Sequence, residues 1–327
     1  MILVTGGTGL TGSFVASELM RRGLPFCVYG RPASLERVRA VGMDVVEGDL
    51  RKPETLRRAM KGTTGVVHAA CTFTDAQADV AAMEALLHGW AEGPFVYVSS
   101  LDVYGYATAV PVTENTPLDA SFSEYGRGKL ACERMLQEHA AARGRTDWTV
   151  LRAPYIFGPH ERSCERLIND KLRQGLPIVL PGVTPSEWSA YRDAWIDVRD
   201  LAWVIAESVL RPSGGAMNAL SGHFRWHEVY QNLARLLGSA STVVHRDLAS
   251  ISDDELPRKT LYAQNWYFSN ALLRERLKFH PQFTLLETLE AVATMHTCME
   301  ADSTREARPT ESSHVYRAYV AGAGFSG

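Results

Sequence analysis

The feature that most constrains this chain is TGGTGLTG at residues 5–12, which follows the β-forming run ILVT and precedes the helical pattern SFVASELMRRG. A strand, a glycine-punctuated turn and a helix in that order make a phosphate-binding corner, because the free amides at a helix N-terminus attract anions. Gly6 permits the tight turn, Gly9 lets a diphosphate approach the backbone, and Gly12 lets the helix pack against the strand. Leu10 and Thr11, between them, join the expected cofactor contacts.

The strand that opens this unit is the first of several. FCVYG, DVVEG, GVVHAA, FVYVSS and DWTVLRA recur through the first half, each separated from the next by one candidate helix. Such alternation predicts parallel strands joined by right-handed crossovers, an α/β doubly wound sheet of the Rossmann type. After Pro154 the pattern changes to loops rich in Pro and Trp and to helices near 198–210, 226–237 and 285–299. A smaller, interleaved substrate-binding lobe is expected there. The dinucleotide-binding domain is expected over 1–158 plus about 193–212, the lobe over about 159–192 and 213–300, and a polar tail over 301–327.

Composition narrows the partners. With 327 residues and 46% hydrophobic content the chain can bury a sizeable core. A formal net charge of -3, from Lys+Arg 34 against Asp+Glu 37, offers no basic field for nucleic acid or an anionic membrane. The five cysteines form no CxxC pair and the histidines no HExxH, so reduced thiols and no metal are expected. No apolar run approaches the length of a spanning helix, and ILVT starts right after Met1, so a cytoplasmic protein without a leader is expected.

Two further stretches carry chemistry. SEYGRGKLACERML places Tyr125 and Lys129 four apart, on one helix face. A free phenol titrates near pH 10, so it serves as an acid or base at neutral pH only when its anion is stabilised, which a nearby ammonium does. Upstream, FVYVSSLDVYG ends a buried strand in Ser99 and Ser100, at the carboxyl edge where doubly wound sheets bind ligands. The second strand ends in Gly30 and Arg31 where NAD-specific folds place an acid, which favours NADP(H) over NAD(H).

Together, the GxxGxxG spacing, the serine strand and YxxxK resemble the extended short-chain dehydrogenase/reductase superfamily, the epimerase/dehydratase-like branch, over nearly the whole chain to about Met299. The resemblance implies that Ser100 holds the substrate oxygen, Tyr125 exchanges a proton with it, and Lys129 depresses the tyrosine pKa and binds the nicotinamide ribose. It implies further cofactor contacts at Asp49 and Leu50 (GDL), Ala69 and Ala70 (HAA), and Pro154, Tyr155 and Ile156 (APYIFGP). It also implies that Arg192, in YRDAWIDVRDLA, matches a diphosphate-gripping arginine, while Ser99, Asp102 and Arg162 are additional substrate-side candidates. Leu101 stands where dehydratases of the branch carry Asp, which counts against 4,6-dehydration.

The expected function is NAD(P)(H)-dependent hydride transfer between nicotinamide and a carbonyl or alcohol of a small molecule. A nucleotide-sugar epimerase with tightly held NAD and a dinucleotide-sensing regulatory protein are the alternatives. A homodimer is expected through the helices around 81–90 and 125–142, with Met83, Leu86, Leu130, Met135 and Leu136 as apolar surface.

Overall fold

The computed structural model describes residues 1–107 and 109–303, without the side chains of 162, 163 and 298–303. The first half alternates as β1 (Ile2–Thr5), α1 (Leu10–Arg21), β2 (Phe26–Gly30), α2 (Pro32–Arg39), β3 (Val45–Glu47), α3 (Pro53–Ala59), β4 (Gly65–His68), α4 (Ala76–Gly89) and β5 (Phe95–Ser100). A 3-10 turn at Leu101–Tyr104 leads on to α5 (Glu124–Ala142) and β6 (Trp148–Ala153). Thereafter come β7 (Tyr155–Phe157), α6 (Arg162–Asp170), β8 (Ile178–Pro181), α7 (Pro185–Ala190), β9 (Asp193–Asp197) and α8 (Val198–Leu210). The chain continues through β10 (Gly215–Asn218), β11 (Gly222–Phe224), α9 (Trp226–Leu236), β12 (Val243–Arg246), α10 (Ala271–Leu277) and α11 (Leu285–Ser303).

Seven strands form one sheet in the order β10-β6-β5-β4-β1-β2-β3, and every ladder in it is parallel. Strands β1, β4, β5 and β6 are buried along their whole length, as expected of strands covered by helices on both faces. One face packs against α1 and α8 through Phe14, Val15, Leu19, Leu201 and Ile205. The other packs against α3, α4 and α5 through Leu56, Met83, Leu86 and Leu136. Strand order reverses between β1 and β4, and a ligand crevice opens at such a switch point.

The smaller lobe holds a three-stranded sheet, β11-β9-β7, and a parallel pair, β12-β8. Its core joins Phe157, Ile178, Trp195, Phe224, Trp226, Leu233 and Leu289. The boundaries differ from those expected in two places. β9 belongs to the lobe's sheet, whereas α8, directly after it, packs on α1. β10 lies beyond the expected boundary at 212 yet completes the edge of the main sheet beside β6. Its sequence, GAMN, has no β-branched residue and is buried only in its second half, so it carries no strand signature.

The expected apolar dimer surface is also not where it was placed. Met83, Leu86 and Leu136 are buried within the chain itself, because α4 and α5 pack on each other and on the sheet and turn these side chains inward, and Leu130 is buried against Leu101, Tyr104 and Phe268. Met135 alone of the five is only partly buried. The tail from 304 onward lies outside the described residues, and α11 runs into its expected start. Among the described residues, no helix is long and apolar enough to cross a membrane.

Candidate active site

A single cavity of about 1240 Å³ runs across the carboxyl ends of β1, β2, β4, β5 and β6. Its first wall is the glycine turn. Gly6 has φ of +76°, and a Cβ there would lie 2.8 Å from Ala70 N, so a side chain would close the gap between the β1 and β4 turns. A Cβ on Gly12 would lie 2.1 Å from Gly6 O, so only glycine lets α1 start this close to the turn. α1 begins at Gly9 without a side-chain cap and without an acid in its first turn, whereas α4, α5 and α8 are capped by Asp75, Ser123 and Asp197. The first amides of α1 are thereby left for an anion in the cavity, as a dinucleotide diphosphate requires.

The other expected cofactor residues converge on the same space. Gly9, Leu10, Thr11, Arg31, Asp49, Leu50, Ala69, Ala70, Lys129, Pro154, Tyr155 and Ile156 all line it. Ser34 and Arg37, on the first and last turns of α2, line it together with Gly30 and Arg31. The sequence signal for these two was their place just after the second strand, which Arg31 alone was taken to fill. His68, at the end of β4, bonds Thr5 Oγ1 through Nδ1 at 2.7 Å, and Thr5 Oγ1 also accepts from Ala70 N at 3.3 Å, which ties the two strand ends together. Burial pushes His68 down to about 3, so the ring stays neutral.

At the far end stand Ser100, Tyr125 and Lys129, all on the cavity wall. Ser100 closes β5, and its Oγ accepts from Asp102 N at 3.1 Å, which leaves its own proton to donate elsewhere. Tyr125 lies in the first turn of α5, whose N-cap Ser123 accepts from Gly126 N. Lys129, one turn on, is buried and donates to Val98 O at 2.8 Å, with its Nζ 5.6 Å from the centre of the Tyr125 ring. Burial pushes the Tyr125 phenol up to about 12, against the opposing pull of Lys129 and Ser100. The Lys129 ammonium lowers this phenol, but desolvation of the ring is the larger effect, and the group is a neutral phenol at neutral pH.

Beneath these groups lies a buried network that sequence reasoning missed. Glu133, one further turn along α5, pairs with Arg152 of β6 at 2.8 Å and accepts from Ser99 Oγ at 2.5 Å. Arg152 also donates to Tyr104 OH at 2.7 Å, and Tyr104 donates to Asn218 Oδ1 of β10 at 2.7 Å. The available signal was the spacing Tyr125, Lys129, Glu133, which puts all three on one helix face. Because the Ser99 hydroxyl is engaged by Glu133, Ser100 is the serine whose proton remains available.

The substrate-side candidates separate. Asp102 lines the cavity, whereas Arg192 does not: its guanidinium lies 5.9 Å from the centre of the Tyr267 ring. Arg162 falls on a side chain outside the described residues. The cavity wall brings in residues with no sequence signal of their own, among them Phe73, Arg258, Leu261 and Phe268, together with Cys71. Asp193, only 5% exposed, also lines the cavity; its Oδ1 accepts from Ala194 N, and its Oδ2 has no hydrogen-bond partner. Burial, with Asp102 nearby, raises its carboxyl well above the usual range.

Comparison with known proteins fits this geometry. The model of the NAD dependent epimerase/dehydratase family matches residues 2–219. A UDP-glucose 4-epimerase of Haemophilus influenzae is 30% identical over 183 residues, 49% of this chain and 54% of that protein. A D-erythronate dehydrogenase of Cupriavidus necator is 33% identical over 180 residues, 47% of this chain and 55% of that protein. The chain thus spans little more than half the length of these curated relatives. The solved structure of a Thermotoga maritima UDP-glucose 4-epimerase with UDP-glucose shares the fold, with a TM-score of 0.76 at 20% identity over 91% of this chain and 99% of that one.

Proposed function

Because the chain belongs to the NAD-dependent epimerase/dehydratase family, we propose that it is an NADP(H)-linked oxidoreductase that interconverts a carbonyl and an alcohol on a small molecule. The observation that carries this reading is the convergence of Ser100, Tyr125 and Lys129 at one end of a cavity whose other wall is the glycine turn. A nicotinamide dinucleotide bound there supplies the hydride equivalent.

The chain's own residues do the rest. Ser100 donates a hydrogen bond to the substrate oxygen while its own oxygen keeps the bond from Asp102 N. Tyr125, a neutral phenol, holds the proton that this oxygen needs as negative charge develops on it. Lys129, fixed by Val98 O, lowers the energy of the phenolate that remains. In the oxidative direction the same proton runs from the alcohol to Tyr125.

NADP(H) is the cofactor in this reading, since Gly30 supplies no carboxylate and Arg31, Ser34 and Arg37 line the same end of the cavity, suited to a 2'-phosphate. The epimerase alternative draws support from relatives bearing that name and from one guanidinium, Arg258, on the substrate side. It is the weaker reading because Arg192 lies off the cavity wall. A homodimer across α4 and α5 also belongs to this proposal, supported by the groove that Leu87, His88, Met135 and His139 form between the two helices.

Substitution Tyr125→Phe tests the chemistry and also separates an enzyme from a dinucleotide sensor. Folding and NADPH affinity should hold while single-turnover NADPH oxidation with a ketone falls by about 10²- to 10⁴-fold, as for a lost general acid. A wild-type rate in this variant would refute the assignment.

A further inference from the structure

Beyond Ser100 and Tyr125 the cavity wall changes from glycine and polar residues to aromatic ones. Phe122, Leu261, Trp266 and Phe268 line it, and Trp266 and Phe268 belong to a buried cluster with Leu101. Phe73 stands apart from this cluster. It is 69% exposed, and its ring stacks on Tyr125 with centroids 5.6 Å apart and planes 15° from parallel.

Its backbone is unusual for a residue with a side chain. With φ of 62°, Phe73 occupies the left-handed region, which disfavours any residue bearing a Cβ and persists only where the surroundings enforce it. Here Asp79 of α4 enforces it, accepting from Thr72 N at 2.8 Å and from Thr72 Oγ1 at 3.1 Å, while Asp75 N donates to Thr72 Oγ1 at 3.1 Å. The loop spends stabilising contacts on holding a large apolar ring in the open, beside the proton donor. An ordinary loop tip has no such need.

Charge on this side of the cavity points the same way. Of the Arg and Lys residues lining the cavity, Arg31 and Arg37 belong to the α2 end and Arg51 precedes α3, which leaves Arg258 and Lys129, and the Arg258 charge lowers the Asp102 carboxyl against the larger, opposite effect of burial. With Arg192 away from the wall, a diphosphate would meet one guanidinium, Arg258, with the Asp102 carboxyl on the same wall. An uncharged ligand meets no such deficit.

We propose that Phe73 determines specificity: its open face, with Phe122, Leu261 and Trp266, seats a flat, uncharged aromatic part of the substrate beside Ser100 and Tyr125. This rests on the reading of the cavity as a carbonyl site, and the test keeps the two apart. Protein loaded with NADP⁺ is titrated by calorimetry with 2-acetylnaphthalene, with methyl cyclohexyl ketone, which carries the same acetyl group on a ring that is not flat, and with UDP-glucose. Wild type should bind the aryl ketone about ten-fold more tightly than the cycloalkyl one, a margin in keeping with an aromatic stack, and Phe73→Ala should reduce that preference to under about two-fold. Phe73→Tyr should keep it, and NADP⁺ affinity should be alike in all three proteins. Equal binding of the two ketones, binding of neither, a preference that survives Phe73→Ala, or tighter binding of UDP-glucose than of either ketone overturns the proposal. NADPH consumption is measured separately. A Phe73-dependent preference without consumption leaves the aromatic seat standing and sinks the reductase reading, and consumption indifferent to Phe73 does the reverse.

Discussion

Gly30 shows how a missing side chain sets chemistry. An aspartate at this position would repel a 2'-phosphate; with glycine there, the guanidinium groups of Arg31 and Arg37 on the same wall are available to one. NADPH should therefore bind more tightly than NADH. Replacing Arg31 by Ala should shrink the difference by about ten-fold, the loss of one charge-assisted contact, while NADH affinity barely moves. Fluorescence titration of both cofactors checks this, and tighter NADH binding by the wild type refutes it. Single residues were legible in the sequence where a motif fixed their spacing, as for Gly6, Gly12, Tyr125 and Lys129. Phe73, Asp193 and Arg258 were not, because they reach the cavity from three separate loops or strand ends whose approach depends on tertiary packing.

Helix α5 carries the site on one face and its support on the same face one turn later. Tyr125, Lys129 and Glu133 follow each other at four-residue steps, and Glu133 is held to β6 by Arg152 within a region closed to water. Removing the carboxylate leaves the guanidinium buried without a counter-charge, which typically costs about 3–5 kcal/mol. Glu133→Gln should lower stability by about that amount in chemical denaturation, and a second change, Arg152→Met, should restore part of it, because the uncompensated charge is then gone. A single variant that unfolds at the wild-type midpoint counts against the network as a support for the site. The helix itself was readable from its pattern, and YxxxK marked its first turn. Its partner in β6 was not, since the only clue in LRAPY is a charged residue inside a strand otherwise apolar.

On the scale of the molecule, the doubly wound order followed from the alternation of strands and helices, while the return of the chain to the main sheet at β10 did not. The inward turn of Met83, Leu86 and Leu136 escaped as well, because periodicity shows that a helix has an apolar stripe and not which neighbour covers it. A groove around Met135, lined by Leu87, His88 and His139, stays accessible between α4 and α5. Sedimentation at micromolar concentration should still give twice the monomer mass, and a monomer refutes the dimer. The late arrival of β10 has a consequence in time. A ribosome makes β6 more than sixty residues before the strand that covers its outer edge, with β7, β8, β9 and α8 in between. At about 5–20 residues per second the growing chain carries an unpaired edge strand for several seconds, and Tyr104, made earlier still, waits longer for Asn218. The sheet is therefore finished by the same stretch of chain that finishes much of the lobe, so the cofactor half has no earlier moment at which it is whole.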